Sequence, residues 1–189
     1  MAALVLSSVV IVSRLIYKDK PIFTQRINVA LGKEAKQSSL LQMNELFEAS
    51  KAVDGNTTGN GTAALSSTDN DVNAWWEVDL GRTYSISEIN IWNRTDCCAG
   101  HVDCCPTPRL HDFYVLVSDA KFASTDLATT ISQPGVFSSQ FNNTAGTPTT
   151  IAIGKSGRYV RVQFNHTDYL TLAEVEVFAD VPLWHFAIE

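Results

Sequence analysis

The chain has 189 residues, which suits one domain of ordinary size with short appendages. Its formal charge of -6 and pI near 5.1, without any cluster of Lys and Arg, argue against a phosphate-tracking surface and so against a nucleic-acid partner. Charged residues make up only 18% while Ser, Thr, Asn and Gly are abundant, a composition commoner in secreted β proteins than in cytosolic helical ones.

Residues 1–20 stand apart. Ala2 to Val12 is apolar except for Ser7 and Ser8, and Arg14, Lys18 and Lys20 follow it. The run is shorter than the ~20 residues that span a bilayer and fits the apolar region of a signal peptide. No charge precedes it and no small-x-small site follows, so an uncleaved signal anchor and a segment docked on the domain stay open. A membrane is a partner only if the segment is retained.

Residues 21–180 read as an all-β domain, with short apolar or alternating runs separated by Gly, Asn, Asp, Ser and Pro. The strands expected in chain order are Trp75 to Leu80, Ile86 to Trp92, Phe113 to Ser118, Thr150 to Ile153, Tyr159 to Phe164 and Thr171 to Phe178. Alternation in Glu88 to Asn93 and in Glu174 to Phe178 puts one side of each strand on a core and the other in water. No helical pattern of βαβ length intervenes, which favours two packed antiparallel sheets. A short helix fits only Leu40 to Val53. Ser132 to Thr149 reads as a long polar connection, and Trp75 and Trp76 as a pair packed on the core. The tail, residues 181–189, carries Leu183, Trp184, Phe186 and Ile188. It is apolar enough to pack on the domain, on another copy or on an assembly partner.

All the cysteines fall in Asp96-Cys97-Cys98-Ala99-Gly100-His101-Val102-Asp103-Cys104-Cys105. Adjacent cysteines can close a small disulfide ring, a rigid polarizable patch suited to the C–H face of a sugar. Arg94 adds a fork of donors, and Asp96 accepts from hydroxyls or holds the arginine. A flat apolar surface beside a few fixed polar groups is what a sugar site requires. Two alternatives remain: the cysteines staple a loop, or with His101 they bind zinc, although their spacing is poor for zinc.

The chain resembles the F-type lectins, or fucolectins, a fucose-binding family with a jelly-roll β-sandwich fold. The resemblance is carried in order by Asn28 to Ser39, by Lys51-Ala52-Val53-Asp54-Gly55-Asn56, by Trp75 to Gly81 and by Ile91-Trp92-Asn93-Arg94-Thr95-Asp96-Cys97-Cys98. Gly157 to Val162 and Leu170 to Val177 complete it. It implies a discoidin-like, antiparallel jelly roll and a sugar site of one histidine and two arginines around a vicinal disulfide. The first arginine and the disulfide fall on Arg94, Cys97 and Cys98. The histidine position falls at Ser66-Ser67-Thr68, with Ser67 the candidate, and no histidine lies between Asn28 and Arg94. Where the second arginine is expected stands His101, and Arg109 follows an insertion that brings Cys104 and Cys105. Arg109 is the better candidate, and His101 the possible stand-in for the missing histidine.

The resemblance also implies a structural calcium ion, Ca2+, held by Asp54, Asn56 and Glu174 with carbonyls of Lys51, Asn56 and Ala173. Oxygen ligands from a turn and a distant strand suit that ion. A second family disulfide, with partners near Leu65 and at Ala173, is absent together with both of its cysteines. Five N-x-Ser/Thr sequons begin at Asn56, Asn60, Asn93, Asn142 and Asn165. A glycan on Asn56 would oppose calcium and one on Asn93 would crowd the sugar loop, which leaves Asn60, Asn142 and Asn165 as candidates.

No nucleophile elbow, zinc-protease motif, phosphate loop or identifiable carboxylate pair is present, so a binding protein and not an enzyme is expected. The expected function is a secreted lectin module for fucose or a related glycan, with a remodelled loop. The alternative is an extracellular adhesion or assembly module that keeps the fold and has lost the pocket, forming homo-oligomers or binding a partner through its tail.

Overall fold

A computed structural model describes residues 24–61, 64–96 and 109–183. The expectations for residues 1–20, for His101, Cys97, Cys98, Cys104 and Cys105, and for most of the tail lie outside the described residues. Two units are distinguished. Arg26–Asp180 is the larger and holds every site below; of the chain ends, residues 24–25 and 181–183 are described.

The strands are β1 (Thr24–Asn28), β2 (Glu34–Gln37), β3 (Ser66–Val72), β4 (Trp75–Trp92), β5 (His111–Ser118), β6 (Phe137–Thr144), β7 (Thr149–Phe164), β8 (Thr167–Leu172) and β9 (Glu174–Pro182). One sheet runs β1-β9-β4-β7-β5-β6 with β2 also on β4, and β3 pairs with β8. All the registered pairings are antiparallel, as an all-β sandwich requires.

Sequence alternation predicts two strands where β4 is one, and two where β7 is one. The reason is a bulged interruption: the β4–β7 register shifts between Asp79 and Tyr84, where Gly81 adopts φ +84°. The break divides the neighbours as well. Before it β4 pairs with β2 and with Tyr159 to Gln163 of β7; after it, with β9 and with Thr149 to Gly157. Two pleated surfaces therefore share two long strands, and the alternating residues of both fill the core, Trp76, Val78 and Leu80 before the break and Ile86, Ile89 and Ile91 after it. Trp76 is fully buried and donates from its indole to the Ala49 carbonyl at 2.9 Å, whereas Trp75 stays partly exposed with Arg161 over its ring.

Three expectations change. Leu40 to Val53 forms three single 3-10 turns, Leu41–Met43, Glu45–Phe47 and Ala49–Val53, because Gln42 and Met43 take positive φ and Asn44 caps the second turn. The supposed connection from Ser132 to Thr149 contains β6, an edge strand whose half-buried positions are Phe137, Ser139 and Phe141, so that one serine and the polar residues around it hide the alternation. A six-residue helix, α1 (Leu127–Ser132), is capped by the Asp126 carboxylate accepting from the Thr129 amide. The segment Thr171 to Phe178 breaks at Ala173 into β8 and β9, and there Glu174, expected to face water, is fully buried.

Candidate functional site

β4 ends at Trp92 and delivers Arg94 to one corner of the sandwich. Two connections fix that corner. Asn93 is buried, with its side-chain amide donating to the Ala145 carbonyl at 2.9 Å and its backbone amide to the Gly146 carbonyl. That amide is the atom a glycan would need, so the Asn93 sequon is closed off in this fold. On the other side, the Thr95 amide donates to the Gly59 carbonyl at 2.8 Å. Gly59 is obligatory there, for its φ is +60° and a Cβ would lie 2.7 Å from the Asn93 carbonyl oxygen.

Arg94 and Asp96 form a forked pair, with Nε to Oδ1 at 2.5 Å and Nη2 to Oδ2 at 3.3 Å. The Gly61 amide also donates to Asp96 Oδ2 at 2.9 Å. These donors, the arginine foremost, hold the Asp96 carboxyl below the usual carboxylate range, against the opposing effect of burial. The guanidinium has five N–H groups and spends two on Asp96, so the rest can meet a ligand. With side-chain exposures of 16% and 23%, the pair is partly desolvated and rigid while still reachable.

The loop from Asp54 to Gly61 joins this corner to the Glu174 carboxylate. Glu174 Oε1 accepts from the Gly55 amide at 3.1 Å, but the buried Oε2 has no partner. Burial, with the Asp54 charge adding to it, pushes the Glu174 carboxyl up to about 7. A buried carboxylate oxygen without a donor, close to a second acidic residue, is a donor set that fits a hard cation. Lys51 lies within the adjacent 3-10 turn, and Ala173, fully buried, precedes Glu174 in the chain with its amide on the Trp92 carbonyl. The Asn56 side-chain oxygen is taken by the Thr58 amide and hydroxyl at 3.1 and 2.7 Å, which leaves that residue's main-chain carbonyl for an ion.

Two further sequence candidates have partners of their own. Arg109, just before β5, stacks its guanidinium 4.6 Å over the Tyr169 ring of β8. Ser67 in β3 is 1% exposed, and its hydroxyl bonds to Thr171 Oγ1 at 2.9 Å and to the Thr68 carbonyl. It presents no surface to a ligand in this arrangement, because the β3–β8 register turns it inward opposite Thr171. Asn60, Asn142 and Asn165 are all exposed. Sequence reasoning missed Tyr169, which the Arg109 contact reveals, and a cluster of His111, His166 and Asp168, whose members are far apart in the chain.

A family model described as "NedA-like, galactose-binding domain" matches residues 51–162. Fucolectin-5 of Anguilla japonica is 33% identical over 165 residues, covering 85% of this chain and 79% of that protein. Among solved structures, a Streptococcus pneumoniae fucose binding module superposes with a TM-score of 0.65 at 30% identity, covering 82% of this chain and 96% of its own. The lectin domain of lectinolysin complexed with Lewis B antigen has a TM-score of 0.63 at 31% identity, covering 80% and 96%. The fold and its relatives define a β-sandwich carbohydrate-binding module. Within that class, the chain belongs to the F-type lectin, or fucolectin, family.

Proposed function

We propose that this lectin module binds fucose or a related glycan at the Arg94 corner, without chemically altering it. The carrying observation is the Arg94–Asp96 fork, held from both sides by Gly59, Gly61 and Asn93, in a chain whose relatives include fucose-binding modules. A donor group fixed before the ligand arrives loses little conformational entropy on binding, which is how a shallow sugar site gains affinity. Cys97 and Cys98 follow directly in sequence and are assigned the apolar face of the sugar, with His101 and Arg109 supplying further donors.

Calcium is assigned to Asp54, the Asn56 carbonyl and Glu174, with the carbonyls of Lys51 and Ala173. The ion would neutralise the buried carboxylate and stiffen the loop that also carries Gly59 and Gly61. Secretion, and glycans on Asn60, Asn142 and Asn165, belong to the same reading.

The burial of Ser67 favours the second reading, an adhesion or assembly module without a pocket, because the position expected to give a polar donor gives none. A glycan array probed with and without calcium separates the two. Calcium-enhanced binding to fucosylated glycans that Arg94→Ala abolishes supports the first reading. Silence on every glycan at high protein density overturns it.

A further inference from the structure

We propose that His111, His166 and Asp168 form a binding site for a zinc-like divalent transition metal, distinct from the calcium corner and independent of the sugar-binding reading. The sheet brings the two histidines together. In the β5–β7 pairing Phe113 lies opposite Phe164, and His111 and His166 each stand two residues beyond that pair, with Asp112 in a positive-φ kink between His111 and Phe113. Their rings stack with centroids 4.8 Å apart and planes 13° from parallel, and Phe164 packs beside both, 4.4 Å from His166 and 6.4 Å from His111. Asp168 then enters from the start of β8, its Oδ2 being 3.9 Å from His111 Nε2.

The hydrogen bonds decide which atoms are available. His111 Nδ1 lies 2.9 Å from Asp112 Oδ2, and His166 Nδ1 lies 3.2 Å from Asn165 Oδ1. Both oxygens are acceptors, so each Nδ1 serves as the donor, an arrangement that in a neutral imidazole leaves the lone pair on Nε2. A histidine oriented through Nδ1 by a carboxylate or carbonyl is the usual outer support of a metal ligand. His166 Nε2 is buried and has no hydrogen-bond partner, and the 3.9 Å separation of His111 Nε2 from Asp168 Oδ2 is too long for a bond. Asp168 Oδ1 accepts from the Tyr169 amide at 2.7 Å, which leaves Oδ2 for another partner.

One ligand atom from each of the three residues lies within 4.8 Å of the others. Tetrahedral zinc with bonds near 2.1 Å holds its ligand atoms roughly 3.3 Å apart, a contraction that modest side-chain rotation supplies. Two imidazole nitrogens and one carboxylate oxygen select zinc and its neighbours over calcium, and a fourth position is left for water. The site ties the start of β5 to β8 beside the Arg109–Tyr169 contact.

The test uses the purified full chain, stripped with EDTA, returned to calcium-containing buffer and kept oxidised so that cysteine thiols do not compete. Zinc binding is followed by calorimetry and cobalt(II) binding by visible absorption. The expected result is a single zinc per chain and cobalt ligand-field bands without sulfur-to-metal charge transfer. His166→Gln and Asp168→Asn each weaken zinc by at least about tenfold while leaving the unfolding midpoint in EDTA unchanged. His111→Asn gives the same reading if His166→Gln does not fold. No stoichiometric zinc, equal affinity in the folded variants, or a thiolate charge-transfer band would each overturn the proposal.

Discussion

Replacing Glu174 with Gln has opposite effects with and without calcium. In the metal-free protein the carboxyl is buried, with one oxygen on the Gly55 amide and the other unpartnered, and its pKa rises from 4.5 to about 7. Because the folded form binds the proton more tightly than the unfolded chain, stability from this group is complete below about pH 4.5. It is lost as the pH rises through 7. The full rise corresponds to about 3 kcal/mol at 1.36 kcal/mol per pKa step. In EDTA at pH 8, Glu174→Gln therefore raises stability by up to about 3 kcal/mol, roughly 6–12 °C in Tm for a chain of this size. At pH 5 wild type and variant nearly converge. Calcium reverses the order: binding at a thousandfold excess over Kd stabilises the wild type by about 4.1 kcal/mol, and the variant, lacking the charged ligand, gains little. Differential scanning calorimetry at both pH values, with EDTA and with calcium, checks all four conditions. A variant less stable than wild type in EDTA at pH 8, together with equal calcium shifts for both proteins, would refute the reasoning.

Other outcomes follow from contacts away from Glu174. Gly59→Ala places a methyl against the Asn93 carbonyl in a positive-φ position; it is expected to lose about 2 kcal/mol in urea unfolding and to weaken glycan binding by displacing Arg94. Glu77→Gln leaves the Arg161 guanidinium, which is 3% exposed and bonded through Nε and Nη2 to Glu77, without its counter-charge. A loss of about 3 kcal/mol is expected, also read by urea unfolding. Asp79 is pulled down to about 2, chiefly by its bonds to Arg158, so the stability it contributes is present above pH 3.8 and lost as the pH falls through 2. Since both partners are partly exposed, solvent screening reduces this to roughly 1 kcal/mol, and Asp79→Asn is expected to remove that much at pH 7 and flatten the acid limb of a Tm profile.

Much of the frame is legible in the residues. The alternation through Trp75 to Leu80 and Ile86 to Trp92 declares strands because side chains in extended backbone must alternate between core and water. The Asn93-Arg94-Thr95-Asp96-Cys97-Cys98 run and Asp54-Gly55-Asn56 point to the proposed sugar corner and the proposed cation loop, since the residues assigned to each run are adjacent in the chain. β6 escapes detection because Ser139 interrupts the inward pair Phe137 and Phe141 and polar residues fill the rest of the strand, and α1 because a six-residue helix leaves too short a period to read.

What the chain could not announce is which distant groups meet. Glu174 looks like the outward half of an alternating strand, yet the break at Ala173 turns it inward. Only the fold shows that one of its oxygens is left without a donor. Ser67 occupies the expected histidine position but is turned onto Thr171 by the β3–β8 register. His111 and His166 become neighbours just beyond the point where β5 and β7 pair at Phe113 and Phe164, a relation with no local trace in either segment. Sequence alone thus determined the all-β class, most of the central strand segments and the family, because those depend on short-range pattern. Burial, pairing and the orphaned ligand atoms were decided by tertiary structure, because each depends on long-range strand registration that brings together side chains from separate strands.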